Sequence, residues 1–359
     1  SPSTRRLLDS LGVWQAMDEA RIAPVHDMEV WPQDAGAVGR AARFVRPKPL
    51  RFSAWEARID ALAWIVENRN LTRALAQASR FAGLPTFAVP LLSLDVDTDP
   101  AAAKITLADG RSLRARLVVG ADGANSKVRE LAGIASSVTD YPQRAVVANF
   151  DTADPHRDCA WQWFGEHGVL ALLPLPAGDQ PGRCSIVWSA PHALADELLA
   201  LPPEGLGARV EAVSGAVLGA MTPLGQAAAW PLRLGRVDSL IGNRVALVGD
   251  AAHVVHPLAG QGMNLGFGDV QALADTMRGR EPQRDPGERM LLRRYERARA
   301  EPVMAMRVTT DGLQKLFDSD SWLSQPPFGL PVRALRDAGW QAVAGSRLIR
   351  RLLISQATR

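Results

Sequence analysis

Two short apolar runs in this chain end in glycine and aspartate and then lead into a helical pattern. The first covers residues 117–119 and is followed by Gly120-Ala121-Asp122-Gly123, and the second covers residues 245–248 and is followed by Gly249-Asp250. A short apolar run bounded by turn residues is typical of a buried strand. Glycine and an acidic residue before a helix bring backbone amides and a carboxylate to one place. The pattern therefore predicts two strand-turn-helix units that bind a ligand.

Helical periodicity recurs in four other places. Leu7, Leu8, Leu11 and Trp14 predict a helix over residues 4–20, and similar spacing predicts helices over 70–81 and 268–277. Residues 285–359 are helical by composition. In the last part of that segment leucines alternate with Arg347, Arg350 and Arg351, so the helix is either packed by its leucines or laid on an anionic membrane surface.

Alternating patterns predict the strands. Residues 89–96, 104–108 and 113–119 are predicted strands, with Asp109-Gly110 as a hairpin turn. A second set lies in 25–55, 144–191 and 227–232 and is expected to form one antiparallel sheet. The order of these patterns predicts a mixed α/β fold in which a β-sheet domain is interleaved with a doubly wound domain.

Composition narrows the class of protein. The chain has 359 residues, of which 47% are hydrophobic and 22% charged, which is the composition of a globular protein. Its 41 basic and 38 acidic residues nearly balance, and the basic clusters lack interleaved aromatics, so nucleic acid is not an expected partner. The two cysteines have no metal or redox spacing, which fits a reducing cytoplasm and no metal site.

The residues after the second apolar run suggest a planar ligand with a polyol tail. An ionised Asp250 offers only hydrogen-bond acceptors, so it suits sugar or ribityl hydroxyls better than phosphate. Gly260 and Gly262 allow the main chain to approach a ring, and the amides of residues 262–264 could stabilise negative charge on it. An ordinary strand-loop-helix corner is the alternative for an isolated Gly-Asp pair, but this run is longer.

These segments resemble the fingerprints of the single-component flavin aromatic hydroxylases, which include para-hydroxybenzoate hydroxylase. Residues 256–270, with Val66-Glu67-Asn68-Arg69 upstream and Arg294-Tyr295-Glu296-Arg297 downstream, resemble the ubiquinone-biosynthesis branch of that family. The resemblance extends over nearly the whole chain. It implies an FAD-dependent monooxygenase in which NAD(P)H reduces FAD and one atom of O2 is transferred to an aromatic ring.

The family pattern implies a role for particular residues. Pro257, Gly262 and Met263 would form the loop at the flavin ring, with no catalytic base assigned. The residues expected to bind the cofactor are Asn68, Arg69, Asp122, Gly123, Arg129, Gly249, Asp250, Pro257, Gly260, Gln261, Gly262, Met263 and Asn264. Helix capping is the alternative for Asp122, and a surface hydrogen bond or ion pair is the alternative for Asn68, Arg69 and Arg129.

Two further pairs of residues have a structural alternative that the sequence favours. His253 and His256 could move a phenolic proton, but loop histidines more often serve as hydrogen-bond partners. Trp161 and Trp163 share one face of a predicted strand and could line an isoprenoid pocket, but such pairs are more often core.

The resemblance also predicts the domain bounds. Residues 1–20, 56–138 and 233–300 would form the FAD-binding domain, residues 21–55 and 139–232 the substrate-binding sheet, and residues 301–359 the C-terminal helices. Family members begin with a strand, a Gly-x-Gly-x-x-Gly turn, a helix and a second strand that bind the adenosine half of FAD. This first βαβ unit is expected to be missing, so the FAD-binding domain is expected to be truncated at its N-terminus.

The expected substrate is a polyprenylated phenol or quinol of ubiquinone biosynthesis. The expected location is the cytoplasm or, peripherally, the cytoplasmic face of the inner membrane, in association with other ubiquinone-biosynthesis proteins. A hydroxylase of another aromatic metabolite is the first alternative. A non-catalytic binding or scaffold subunit of the biosynthetic complex is the second, and it is motivated by the expected absence of the adenosine-binding unit.

Overall fold

The computed structural model describes residues 1–31, 49–165, 168–255, 262–317 and 354. The chain divides into two compact units. Unit 1 consists of residues 1–82, 142–232 and 313–359, and unit 2 of residues 83–141 and 233–312. Strands 136–152 and 228–237 each begin in one unit and end in the other.

The helices and strands are numbered in chain order. The α-helices are α1 Pro2–Ser10, α2 Ala54–Ala57, α3 Asn68–Phe81, α4 Lys127–Leu131, α5 His192–Ala200, α6 Pro203–Ser214, α7 Gly262–Arg278 and α8 Arg289–Phe317. The strands are β1 Ile22–Val25, β2 Asp27–Trp31, β3 Leu50–Ser53, β4 Ala63–Val66, β5 Leu91–Asp95, β6 Ala103–Leu107, β7 Ser112–Ala115, β8 Val118–Gly120, β9 Ser136–Thr152, β10 Cys159–Gly165, β11 Gly168–Pro174, β12 Gly182–Pro191, β13 Met221–Pro223, β14 Ala228–Val237, β15 Ile241–Gly242, β16 Val245–Leu247 and β17 His253–Val254.

Unit 1 is built on a large sheet. Its strand order is β14-β9-β12-β11-β10-β2-β3, and β13 adds to β9. Side chains alternate across the strands, so Leu170 and Leu172 of β11 and Ile186 and Trp188 of β12 are buried in one core. Helices α5 and α6, which the sequence pattern did not predict, contribute Leu198 and other residues to this core.

The predicted antiparallel pairing is correct for most strands of the large sheet, but it is wrong for the pairing of β2 with β10. Strands β9 to β12 pair antiparallel, whereas β2 pairs parallel to β10, with Asp27 opposite Cys159. Antiparallel neighbours are joined by short turns, but β2 and β10 are far apart in the sequence, so chain connectivity does not dictate their direction.

The first predicted helix, over residues 4–20, is shorter in the structure. Helix α1 ends at Ser10, because Gly12 adopts a left-handed conformation with φ +67° and the chain continues in turns. Asn70 then fixes the following segment through both its amide atoms: Nδ2 donates to Asp18 O at 2.8 Å, and Oδ1 accepts from Asp18 N at 2.9 Å.

The predicted FAD-binding domain, with residues 1–20, 56–138 and 233–300, stays a prediction. In the structure, residues 1–82 lie together in unit 1. The reason is local packing within the unit. Trp14 and Trp64 meet edge to face with ring centroids 5.7 Å apart, and β1 pairs with β4 next to these rings. These contacts join the turns that follow α1 to the segment that leads into α3.

Unit 2 contains a parallel strand pair and a three-stranded meander. Strands β8 and β16 run parallel, with Val118 opposite Val245, and β15 extends this small sheet. The meander is β5-β6-β7, and its predicted hairpin turn is confirmed by Gly110, which has φ +87°. The predicted strand over 113–119 is split into β7 and β8, because the two halves pair in different sheets.

Candidate functional site

The turn after β16 presents an acidic side chain to solvent. Val245, Ala246 and Leu247 are completely buried, and Gly249 then turns the chain with φ +61°, a conformation that favours glycine. Asp250 follows and is exposed. Among the described residues no hydrogen bond or ion pair engages its carboxylate, so all its acceptor positions are available to a ligand.

Helix α7 packs directly against this turn. A Cβ atom at Gly266 would lie 3.1 Å from Gly249 Cα, so only a glycine lets the two backbones come this close without a shift. The Gly249 amide donates to Asp269 Oδ2 of α7 at 2.9 Å. Helix α7 is therefore the support on which the turn rests.

Asp269 is the centre of a buried polar cluster. It is completely buried, and His253 and Arg299 are 5% and 7% exposed. Arg299 Nε donates to Asp269 Oδ1 at 2.6 Å, and Arg299 Nη2 donates to Leu265 O at 3.1 Å. His253 Nε2 lies 2.7 Å from Asp269 Oδ2. His253 is therefore buried beside this carboxylate, but its Nε2 forms no hydrogen bond among the described residues, and the role predicted for the loop histidines stays open.

Asp122, in the first glycine-aspartate turn, caps helix α4. Its Oδ1 accepts from the Ser126 hydroxyl at 2.6 Å, and its Oδ2 accepts from the amides of Lys127 and Val128 at 2.7 and 3.1 Å. Partial burial opposes ionisation of the carboxyl, but the hydrogen bonds outweigh it and lower the pKa of Asp122. The structure thus shows the capping role that the sequence gave as the alternative.

Arg129 joins the two glycine-aspartate turns. Its guanidinium donates from Nη1 to Ala251 O at 2.9 Å and from Nη2 to Ala124 O at 2.8 Å. Ala251 directly follows Asp250, and Ala124 follows Gly123. One side chain therefore hydrogen-bonds to the backbone of both turns and fixes their positions relative to each other. These contacts correspond to the hydrogen-bond alternative given for Arg129, and cofactor binding by this side chain stays a prediction.

The other predicted site residues are distributed as follows. Gly123 lies in the glycine-aspartate turn that follows β8 and has φ +83°. Gly262, Met263 and Asn264 form the start of α7, where Met263 is 57% exposed. Asn68 and Arg69 are exposed in the first turn of α3, in unit 1. Pro257, Gly260 and Gln261, together with His256, lie outside the described residues.

The structure assigns supporting roles to residues that the sequence analysis used only as family markers. The Tyr295 hydroxyl donates to Leu247 O at 2.6 Å, at the end of β16, and burial raises the pKa of this phenol. Glu296 accepts from the Ser239 hydroxyl at 2.6 Å and from the Leu240 amide at 3.0 Å. Asp269 was not singled out, although an acidic residue between Leu265 and Leu273 on the buried face of a helix was a usable signal.

Trp161 and Trp163 are core residues. They are 8% and 7% exposed and belong to the apolar core of the large sheet. This is the role that the sequence favoured over an isoprenoid pocket.

Comparison with known proteins gives the relationships of the chain. Residues 1–310 match the family model described as FAD binding domain. The chain is 36% identical to the ubiquinone hydroxylase UbiL of Rhodospirillum rubrum over 98% of its own length and 77% of that protein. It is 32% identical to the 3-demethoxyubiquinol 3-hydroxylase of Escherichia coli, over 99% of the chain and 85% of that protein.

A solved structure shares the fold. PqsL from Pseudomonas aeruginosa, described as a probable FAD-dependent monooxygenase, superposes with a TM-score of 0.70 at 25% identity, covering 93% of this chain and 88% of that protein. The mixed α/β fold predicted from the sequence therefore has a counterpart of known structure.

Proposed function

The chain belongs to the FAD-binding-domain family of flavin-dependent hydroxylases, and we propose that it uses FAD, NAD(P)H and O2 to hydroxylate the ring of a polyprenylated phenol or quinol in ubiquinone biosynthesis. The named activities of the two relatives support the substrate class. The observation in the chain itself that carries the proposal is the exposed Asp250 carboxylate on a turn held by α7 and Arg129.

The residues of this turn fit FAD. A carboxylate that only accepts hydrogen bonds matches the hydroxyls of a ribityl chain. Cβ atoms built at Gly249 and Gly123 would meet no atom within 4 Å, so the backbone at both turns is open to a close ligand. Asp250 would hold the polyol, and the start of α7, at Gly262 to Asn264, would place its amides next to the ring.

When it is bound, the cofactor supplies the redox chemistry. The residues of the chain hold the groups that bind it in fixed positions. Arg129 and Asp269 fix the backbone on either side of Asp250, so the carboxylate is held in place before a ligand arrives. Asp122 is part of the α4 cap, and we assign it the support of the first turn. Pro257, Gly260 and Gln261 remain, by resemblance, the proposed loop at the ring.

The finer parts of the proposal concern the reductant and the location. NAD(P)H is the proposed electron donor, because ring hydroxylation consumes O2 and two electrons: one oxygen atom enters the substrate and the other leaves as water. We further propose that the enzyme works at the cytoplasmic membrane face with other ubiquinone-biosynthesis proteins, since a polyprenylated substrate resides in the bilayer. Among the helices described, none has the length and apolar character needed to cross a membrane.

The test of substrate class is NAD(P)H oxidation with FAD present and either a prenylated phenol or a soluble phenol added. We expect the prenylated phenol to stimulate oxidation and to gain one oxygen atom in mass spectrometry. A larger increase in the rate of NAD(P)H oxidation with soluble phenols than with the prenylated phenol would favour a hydroxylase of another aromatic metabolite. FAD uptake with no oxygen transfer to either class would favour a binding or scaffold role.

The test of the site is Asp250→Ala. Loss of charge-assisted bonds to the polyol should weaken FAD binding about 10-fold or more, measured by quenching of flavin fluorescence on titration. Asp275→Asn is the control, because Asp275 is exposed on α7 and, within the described part of the chain, its carboxylate pairs with the nearby Gln271 and Arg278. Equal FAD affinity of the Asp250→Ala variant and the parent would contradict the proposed site.

A further inference from the structure

Asp269 carries two contacts that a residue serving only the core would not need. Its Oδ1 accepts a hydrogen bond from Arg299 of α8, and its Oδ2 accepts one from the Gly249 amide. This single carboxylate on α7 therefore joins α8 to the turn that presents Asp250. The carboxylate is completely buried. A buried acidic side chain is costly unless its oxygens are paired, and here both are.

We propose that Asp269 is a positioning residue of the ligand-binding turn: through the Gly249 amide it sets the left-handed backbone at Gly249 and so the direction of Asp250. This inference rests on the proposed function only where the ligand is FAD. The contact itself lies within unit 2 and is made between two residues of the chain.

Asp269 orients the Gly249 amide because its carboxylate is the acceptor of that amide's hydrogen bond. The Gly249 amide donates to Asp269 Oδ2 at 2.9 Å, and Gly266 of α7 packs closely against Gly249 Cα. The conformation at Gly249, with φ +61°, directs the next residue away from buried Val248 and toward solvent. Without an acceptor, the amide would be free to turn, and the carboxylate of Asp250 with it.

The other members of the cluster hold Asp269. Arg299 also donates to Leu265 O on the preceding turn of α7, and its guanidinium lies against Gly268, where a Cβ would be 3.1 Å from Nη2. His253 Nε2 lies 2.7 Å from Oδ2 but without hydrogen-bond alignment. Arg299 therefore neutralises the carboxylate and fixes it through Oδ1, and among the described residues the Gly249 amide is the hydrogen-bond donor to Oδ2.

Two double variants separate positioning from fold support. Asp269→Asn with Arg299→Gln removes both charges but keeps an oxygen acceptor for the Gly249 amide. Asp269→Leu with Arg299→Met also removes both charges and leaves no acceptor. Replacement of a buried ion pair by apolar residues of similar volume is often neutral for stability, so the Leu/Met variant is expected to fold. The Asn/Gln variant is expected to fold because its side chains have a similar shape and keep hydrogen-bonding groups at both positions.

The first measurement is hydrogen exchange of the peptide that contains Gly249, in the protein without FAD. We expect the Leu/Met variant to exchange this amide about 10-fold faster or more, and the Asn/Gln variant to stay within about 3-fold of the parent. Thermal unfolding of both variants is recorded in parallel. Equal exchange in the two variants at equal stability would overturn the positioning role.

The second measurement is FAD affinity of the same proteins. The Leu/Met variant should bind FAD about 10-fold more weakly than the Asn/Gln variant. If the parent protein takes up no FAD, the proposed function fails while the exchange experiment still tests Asp269. If FAD affinity follows only the melting temperature of each variant, Asp269 is a fold residue and the inference is wrong.

Discussion

Arg244 shows what an individual charged residue requires in order to be buried in unit 2. It is 6% exposed, and its guanidinium donates to Pro100 O at 2.9 Å, to Arg116 O at 2.8 Å and to both carboxylate oxygens of Asp285 at 3.1 and 2.6 Å. A planar guanidinium with five donors can satisfy such a set, which lysine cannot. The hydrogen bond from Arg244 holds the pKa of Asp285 below its usual value.

Asp285→Asn should therefore destabilise the protein in a pH-dependent way. A lowered carboxyl pKa in the folded state gives stability that is present above the unfolded pKa and is lost as the pH falls through the folded pKa. We expect a loss of about 2 kcal/mol in the free energy of unfolding at pH 7, and a progressively smaller loss as the pH falls below about 4, the ordinary pKa of an aspartate. Urea unfolding of the variant and the parent from pH 3 to pH 7 measures the difference.

The control for this prediction is Asp275→Asn, which removes an exposed carboxylate that pairs with Arg278 at 3.0 Å. It should change stability by less than about 0.5 kcal/mol. A constant difference between Asp285→Asn and the parent across this pH range would show that the ion pair with Arg244 is not the cause.

At the scale of elements, β16 is held from several directions. It pairs with β8 on one edge and β15 on the other, and Tyr295 of α8 donates to its last carbonyl. Its buried side chains pack into two apolar clusters of unit 2. A strand fixed in this way gives a rigid start to the turn at Gly249, and α7 completes the support from the other end.

Gly266→Ala tests the packing of α7 on this turn. Alanine favours a helix interior by about 1 kcal/mol over glycine, but its Cβ would lie 3.1 Å from the backbone of Gly249. Because a backbone neighbour cannot move aside as a flexible side chain can, overpacking at about 1–3 kcal/mol outweighs the gain. We expect a net loss of about 1 kcal/mol in thermal or denaturant unfolding.

Gly262→Ala is the matched variant on the same helix, since its Cβ would meet Val255 Cγ2 at an ordinary 3.7 Å. It should be neutral in the same unfolding measurement. A Gly266→Ala protein as stable as the parent would mean that α7 and the turn move apart at little cost.

The whole molecule consists of two units with separate cores that share the strands β9 and β14. Unit 1 buries its two thiols in the large sheet, with Cys159 8% and Cys184 1% exposed. Burial raises the pKa of each thiol to about 12, with nearby Glu29 and Asp27 adding to the effect at Cys159. Both thiols are therefore neutral and shielded from thiol reagents while the sheet of unit 1 is intact.

Thiol labelling should accordingly report the unfolding of unit 1. At pH 8 we expect no label on the native protein over minutes and two labels per chain in denaturant, counted by mass spectrometry. The rate should rise with urea in step with the loss of sheet signal in circular dichroism. Rapid labelling of either cysteine in the native protein would contradict the buried placement.

The sequence by itself determined the elements whose signal is local. The apolar runs before Gly249 and Gly120, the helix of residues 68–81 and the turn at Gly110 follow from propensity and periodicity, and the structure contains them all. The residues of the two glycine-aspartate segments were also enough to identify the family, because each motif is contiguous in the sequence and needs no tertiary structure to be seen. The site predictions at Asn68, Arg69 and residues 262–264 stay predictions.

Only the tertiary structure decided which residues meet across long separations. The parallel pairing of β2 with β10, the end of the first helix at Ser10 and the contact of Arg129 with Ala251 depend on neighbours far away in the chain. The cluster of Asp269, His253 and Arg299 is the clearest case. The local pattern signals burial of Asp269 at most and does not show its partners. Burial of the three residues together, which makes an unpaired charge costly, gives them a joint role in support of the turn.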